Sequence, residues 1–237
     1  VLHAQKISKS YGSNRVNIDI SLRFERGTVT AIVGDNGAGK STFLKILAGS
    51  LRPSTGTLSL DEKALTDFSP HIHRSCGIEM VYQDLALARN HDIVTNIFAG
   101  REITKALGCV DLTSMRTRAR EILESLEVHG ADLDSPVGSL SGGQQQSVAI
   151  ARALLFSPKV LLFDEPTAAL GAREVARVLE LIREQKRAGR IVIFVSHRLN
   201  DVFEVSDRIV VFKKGRVHSD DPTQRVSMTK IVELIVS

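Results

Sequence analysis

Gly34, Asp35, Asn36, Gly37, Ala38, Gly39, Lys40 and Ser41 fit the pattern G-x-x-x-x-G-K-[ST], with Thr42 next in the chain. Glycines at these intervals let successive backbone N–H groups point inward at a phosphate, and a helix opening at the lysine adds the partial positive charge of its N-terminus. Lys40 supplies a point charge to β- and γ-phosphates, and the Ser41 hydroxyl is suited to ligate Mg²⁺. A second cluster stands where the apolar run VLLF ends on Asp164 and Glu165. Asp164 is expected to hold Mg²⁺ through water, and Glu165, one residue nearer an attacking water, to act as general base. Either cluster alone has a bland reading, a glycine turn feeding a helix or a strand capped by acids. Together they describe a nucleoside triphosphate site. The [NT]-K-x-D element that reads guanine is absent, and Tyr11 offers an aromatic face for stacking a base.

Elements that could position these groups are visible in the apolar pattern. Thr28 to Val33 is a short apolar run of the kind a doubly covered central strand shows, and it leads straight into the glycine loop. The helix that follows carries Phe43, Leu44, Ile46 and Leu47 and closes at Gly49. Strand, glycine loop and helix open a parallel α/β sheet. Val160–Asp164 and Ile191–Ser196 read as two further buried strands, with helical spacing between them over 173–187. A short helix around 200–205, a strand over 208–212 and an amphipathic helix over 226–236 complete this half. Earlier in the chain, Val16, Ile18, Ile20, Leu22 and Phe24 alternate with polar residues, as in a half-buried antiparallel strand.

The stretch 84–157 differs in texture. Apart from Ile93-Val94-Thr95 it has no β-branched run, and it reads helical over 114–126 and 144–156, which suggests a helical insertion within one α/β domain. The expected organisation is therefore a core in two parts, 1–83 and 158–217, the helical subdomain 84–157 between them, and a C-terminal helix in 218–237.

Length and composition narrow the class. A chain of 237 residues with 43% hydrophobic and 24% charged residues is an ordinary globular composition. No apolar run approaches the roughly 18 to 20 residues needed to span a bilayer. The start, VLHAQKISKS, has no signal-peptide core, and it has no initiator Met, which leaves room for residues upstream. Cys76 and Cys109 lack metal-site spacing and fit a reducing compartment. The formal charge of +4 is dispersed and aromatics are only 5%, so a solvated basic surface is the better reading than a nucleic-acid groove.

Leu140-Ser141-Gly142-Gly143-Gln144-Gln145-Gln146 is a second Ser-Gly-Gly loop opening a helix, another anion cradle. With the phosphate loop, Gln83 at the end of GIEMVYQ, the Asp164-Glu165 tip and His197 in VSHR, all in this order, the chain resembles the ATP-binding subunits of ABC transporters over essentially its whole length. The resemblance implies a P-loop NTPase fold: a mostly parallel α/β core sheet, an N-terminal antiparallel β part and an inserted α-helical subdomain. It implies that Tyr11 stacks adenine, that residues 34–42 are the Walker A loop, and that Gln83 senses Mg²⁺ and the attacking water. It further implies that Asp164 and Glu165 are Walker B and its catalytic glutamate and that His197 contacts the γ-phosphate. Ser141, Gly142, Gly143 and Gln144 would meet the nucleotide bound by a second subunit, so that two ATP molecules join a head-to-tail dimer. A transmembrane permease, indirectly a substrate-binding protein, and a peripheral place on the cytoplasmic side of the cell membrane belong to the same implication. No nucleic acid is expected.

Two positions depart from the family's usual pattern. EPT is followed by Ala168-Ala169-Leu170-Gly171, so the usual Asp is replaced by Gly171, and Ser147 stands where Arg or Lys is common. Both departures, with YQDLALA and NIFAGRE, are similar to the subunits of monosaccharide importers of the ribose, xylose and fructose type. In such a machine a permease helix would press into a groove for which Leu85, Leu87, Ile93 and Phe98 are candidates; the same residues could equally form the subdomain's core. An exporter subunit, or a soluble ATPase acting on nucleic acid or ribosomes, is the alternative reading.

Overall fold

The computed structural model describes residues 1–126, 128, 130–168 and 170–236. They form two compact units. The first comprises 1–83, 158–168 and 175–237, and the second 84–157 with 169–174.

The first unit holds both sheets. β1 (Leu2–Tyr11), β2 (Asn14–Phe24), β4 (Thr55–Leu60) and β5 (Lys63–Ala64) make an antiparallel sheet in the order β2-β1-β4-β5. The larger sheet is built from β3 (Thr28–Val33), β6 (Ile78–Val81), β7 (Val160–Asp164), β8 (Ile191–Val195), β9 (Arg208–Lys213) and β10 (Arg216–Pro222). Its order is β10-β9-β3-β8-β7-β6, parallel except for β10. The sequence of β3, β7 and β8 explains their central place. Every residue of β7 and β8 is buried and all of β3 beyond Thr28, as continuous apolar strands require when helices cover both faces. Register brings Asp164 opposite Val195 and Ile32 opposite Val195, so the strand ends carrying the two chemical clusters lie side by side. Ligand sites of open parallel sheets form at these carboxyl ends.

α1 (Lys40–Leu47) packs its apolar stripe into the core with Phe43, Leu44, Ile46 and Leu47 fully buried. Phe43 meets Phe212 of β9 with ring centroids 5.5 Å apart, a pair worth about 1 kcal/mol beyond its buried area. The unit also contains α2 (Pro70–Ser75), α7 (Leu199–Val205), α8 (Met228–Val236) and all of α6 (Ala172–Arg187) beyond its first turn. α6 lays Val175, Val178, Leu179 and Ile182 inward at helical spacing.

The second unit is helical: α3 (Ile93–Phe98), α4 (Leu112–Ser125) and α5 (Gly142–Leu154), with α3 packed on both others. Asp92 and Asp111 cap α3 and α4, accepting from the Thr95 and Ser114 amides at 2.7 and 3.2 Å. Ile93 and Phe98 are fully buried and form this unit's core, whereas Leu85 and Leu87 stay half-buried. Of the four groove candidates, the two helical ones are therefore packing residues.

Three expectations need correction. In β2 the inward alternation of Ile20, Leu22 and Phe24 stops at Asp19, whose φ of 50° kinks the strand. Asn17 then turns inward, and Val16 and Ile18 are only half-buried. Residues 218–222 belong to strand β10, and the final helix starts at Met228, not at Val226. The helices expected over 114–126 and 144–156 begin earlier, at Leu112 and Gly142, because Asp111 and Ser141 supply their caps.

Candidate functional site

The glycine loop is shaped by what presses on it. A β-carbon at Gly34, where φ is 146°, would lie 2.1 Å from the Phe212 carbonyl oxygen. At Gly39, where φ is 95°, it would lie 2.5 Å from both Asn17 Nδ2 and the Val16 carbonyl oxygen. Asn17 is fully buried, and its Nδ2 donates to the Gly39 carbonyl at 3.0 Å. This side chain holds the loop from behind. Sequence reading passed over it because it counted Val16 and Ile18 as the inward face.

Lys40 is buried at the first position of α1, and its Nζ donates to the carbonyls of Gly34 and Asp35 at 2.7 and 2.8 Å. An ammonium has three N–H bonds, so one remains for an anion in the loop. Burial pushes its pKa down, while Glu165, Asp164 and Asp35 pull it up. Ser41 Oγ donates to Asp164 Oδ1 at 2.9 Å, closing the distance between the loop and the tip of β7. Asp164 is itself buried, and desolvation raises its pKa against the opposing pull of the Ser41 hydroxyl. Such a carboxylate is stabilised by a cation, and with the hydroxyl it forms the hard oxygen pair that a divalent ion takes.

Asn36, Gly37, Ala38, Gly39, Lys40, Ser41 and Thr42 line a cavity of about 560 Å³ together with Val16, Gln83, Glu165 and His197. The structure thus brings both clusters, Gln83 and His197 to one space; Asp35 stays exposed at the loop's start. Glu165 follows β7 in the left-handed region at φ 52°, with its N–H donating to the Val195 carbonyl at 3.0 Å. A non-glycine residue there is strained, and strain of this sort collects at functional positions. Its Oε2 lies 3.0 Å from His197 Nδ1. A carboxylate so oriented can take a proton from water, and the imidazole holds its direction.

Behind the pair stands a network that sequence reading missed. Thr167 Oγ1 donates to Asp201 Oδ2 at 2.7 Å, both buried, and Arg198 Nη1 donates to the Thr167 carbonyl at 3.1 Å. Arg198 Nε also lies 3.3 Å from Asp201. Residues next to Glu165 and His197 are tied to one another in this way. The N-cap region of a short helix rich in apolar residues gives no local sign of it.

Tyr11 ends β1 and is 53% exposed, with Lys9 Nζ 5.2 Å from its ring centroid. Val16, not Tyr11, reaches the cavity wall. In the second unit, Ser141 caps α5 in a reciprocal box: its Oγ accepts from the Gln144 amide at 3.3 Å and its amide donates to Gln144 Oε1 at 2.9 Å. The hydroxyl hydrogen of Ser141 is not consumed by this accepting bond. Nothing lies within 4 Å of a β-carbon placed on Gly142, whereas one on Gly143 would meet Glu174 Cγ at 2.8 Å. At Gly143 the exposed Glu174 side chain comes close, and Gly142 leaves an open surface. Ala169 of the segment after EPT lies outside the described residues.

A glycine loop on β3, a carboxylate tip on β7, a histidine after β8 and an α-helical unit carrying a second Ser-Gly-Gly turn define an ATP-binding cassette ATPase. Residues 18–168 match the ABC transporter family, and the chain belongs to it. It is 39% identical to the xylose/arabinose import ATP-binding protein of Sulfolobus acidocaldarius, covering 100% of this chain and 94% of that one. It is 38% identical to the ribose import ATP-binding protein of Chromobacterium violaceum, covering 97% of this chain and 46% of that one. The chain thus spans about half the length of the ribose import relative. Among solved structures it is similar to a nucleotide-free ATP-binding cassette from an ABC transporter, with TM-score 0.86, 26% identity and coverage of 100% and 99% of the two chains. It is also similar to a dimeric cassette in a post-hydrolysis state bound to ADP and Pi, with TM-score 0.82, 26% identity and coverage of 94% and 99%.

Proposed function

We propose that this chain is the ATP-hydrolysing subunit of an importer for a monosaccharide, acting as a head-to-tail dimer beneath a separate membrane permease. The observation that carries the ATPase is the convergence of loop residues 36–42, Gln83, Glu165 and His197 on one cavity. The sugar comes from the relatives, whose names are those of xylose/arabinose and ribose import proteins. Among the described residues no helix is long and apolar enough to cross a membrane; the place proposed for the chain, peripheral on the cytoplasmic side, follows from its likeness to import ATP-binding proteins. A substrate-binding protein outside the membrane would deliver the sugar to the permease.

In this reading the backbone amides of 34–42 and Lys40 bind the β- and γ-phosphates. Magnesium, when bound, would draw charge off the phosphate oxygens, and Ser41, Asp164 and Gln83 are the residues to hold it. Glu165 accepts the proton of the water that attacks the γ-phosphorus as the bond to ADP breaks, and His197 fixes the carboxylate. Tyr11 would stack the adenine from the rim. Ser141, Gly142, Gly143 and Gln144 would grip the γ-phosphate held by the partner subunit, and the open face of Gly142 supports this. Residues 84–157 would serve as the helical signature subdomain of a core made of 1–83 and 158–217. Loss of the shared γ-phosphate removes the charge that both subunits grip, and the dimer opens.

Mixing Ser141→Glu protein with ATP under trapping conditions, in a Glu165→Gln background, tests the shared grip by sedimentation. The Glu165→Gln chain should dimerise with ATP and the double variant should stay monomeric. A double variant that dimerises equally well would refute the shared site while leaving the phosphate loop untouched.

A further inference from the structure

The backbone that follows Gln83 is held by side chains of the helical unit. Arg152, near the end of α5, donates from Nη1 to the Ala86 carbonyl at 2.9 Å and from Nη2 to the Leu85 carbonyl at 2.7 Å. Arg152 is itself held, since Arg101 Nη2 donates to its carbonyl at 3.0 Å and the Arg101 guanidinium lies 4.1 Å from the Phe156 ring centroid. A guanidinium presenting two donors to successive carbonyls fixes the orientation of both peptide planes, which a single ammonium does not do. Ala86 is the strained member, with φ at 49°. From α3, the buried Asn96 secures the continuation: its Oδ1 accepts from the Ala88 amide at 2.7 Å and its Nδ2 donates to the carbonyls of Ala88, His91 and Asp92.

α5 therefore carries the Ser141 cap at one end and the grip on Leu85 and Ala86 near the other. From Gly142 to Arg152 the axis runs about 15 Å at 1.5 Å per residue, a rigid stretch. We propose that Arg152 is a positioning residue for ATP hydrolysis. By gripping the carbonyls just after Gln83 it sets where Gln83 stands, and it makes α5 the link between that backbone and the Ser141–Gly143 turn. This rests on the ATPase reading. It adds a residue that touches neither nucleotide nor reacting atoms.

The test compares Arg152→Gln and Arg152→Lys with the unaltered chain, by steady-state ATPase kinetics and by hydrogen exchange. Arg152→Gln should lower kcat about tenfold with KM for ATP within about twofold, because the loop that binds the phosphates is not altered. Amides of 85–88 should exchange about tenfold faster, while those of 30–33 and 160–164 keep their rates. Arg152→Lys, the milder change should Arg152→Gln fold poorly, should recover only part of kcat. Unchanged kcat, or unchanged exchange over 85–88, overturns the proposal, as does faster exchange spread evenly over the chain. Should the unaltered chain hydrolyse no ATP, the ATPase reading fails and the kinetic role with it, whereas the exchange over 85–88 still decides whether the grip exists.

Discussion

The imidazole of His197 and the carboxylate of Glu165, 32 residues apart in the chain, meet with Nδ1 and Oε2 3.0 Å from each other. Adjacent parallel strands produce the meeting. β7 and β8 pair so that Asp164 lies opposite Val195, and the residues just past both strand ends project into the same cavity. Replacing Glu165 by Gln preserves the shape but removes the carboxylate proposed above as the proton acceptor. Hydrolysis should slow at least ~10²-fold with ATP binding retained, as measured by single-turnover assay beside equilibrium binding. Near-normal turnover of Glu165→Gln would take the base role away from Glu165.

Asp164 is a buried carboxylate whose pKa burial raises, so neutralising it relieves a desolvation cost while removing the cation ligand proposed above. Asp164→Asn should keep or increase thermal stability and demand about tenfold more Mg²⁺ for half-maximal turnover. Chelation of Mg²⁺ should stop hydrolysis in the unaltered chain. A Mg²⁺ titration curve shared by variant and parent would exclude Asp164 as a ligand.

Asn17 holds the phosphate loop through the Gly39 carbonyl. Asn17→Ala removes that bond and leaves a void beneath the loop. The expected result is about a tenfold rise in KM for ATP, corresponding to roughly 1 to 2 kcal/mol, with kcat little changed. A lower kcat at constant KM would show that the loop's shape does not depend on Asn17.

Thr167, Asp201 and Arg198 act as one network, and their energies should not add. Thr167→Val and Asp201→Asn should each cost about 1 to 3 kcal/mol in urea unfolding. The double variant should cost clearly less than the sum of the two. Strict additivity would mean that the 2.7 Å bond between Thr167 and Asp201 carries no coupling.

His73 is fully buried, with Nδ1 2.8 Å from the Leu47 carbonyl, and burial lowers its pKa. A histidine kept neutral in the fold takes up its proton on unfolding. Its contribution to stability is therefore complete above the unfolded value of about 6.5 and is lost progressively as the pH falls toward the lower folded value. The melting temperature should drop on acidification from pH 7 to pH 5, and His73→Gln should flatten that slope. An equally steep slope in the variant would assign the acid sensitivity elsewhere.

How much of this was legible from residue order differs by element. The strands β3, β7 and β8 and the loop after β3 were readable because their evidence is contiguous: an apolar run, then glycines, then Lys40. α3 and β6 are too short to show a period, and β1 was hidden by its kink at Lys6, where φ is 50°. The acidic tip Asp164-Glu165 could be picked out because its type and position agreed with the glycine loop. The bonds made by Asn17, Thr167, Asp201 and Arg152 could not be foreseen, since these are ordinary polar residues until their partners are known.

Residue order by itself determined the glycine loop, the acidic strand tip, the second Ser-Gly-Gly turn and the class of machine they belong to, because each is a short-range pattern and their combination in this order has one chemical use. Tertiary structure alone decided that Asn17 faces inward, that Ile93 and Phe98 are packing residues, and that Arg152 grips the backbone after Gln83. Those outcomes depend on strand register, on a kink at one aspartate and on partners up to 67 residues distant. Local propensity carries no information about such separations; only burial and hydrogen-bond satisfaction across the whole chain select among them.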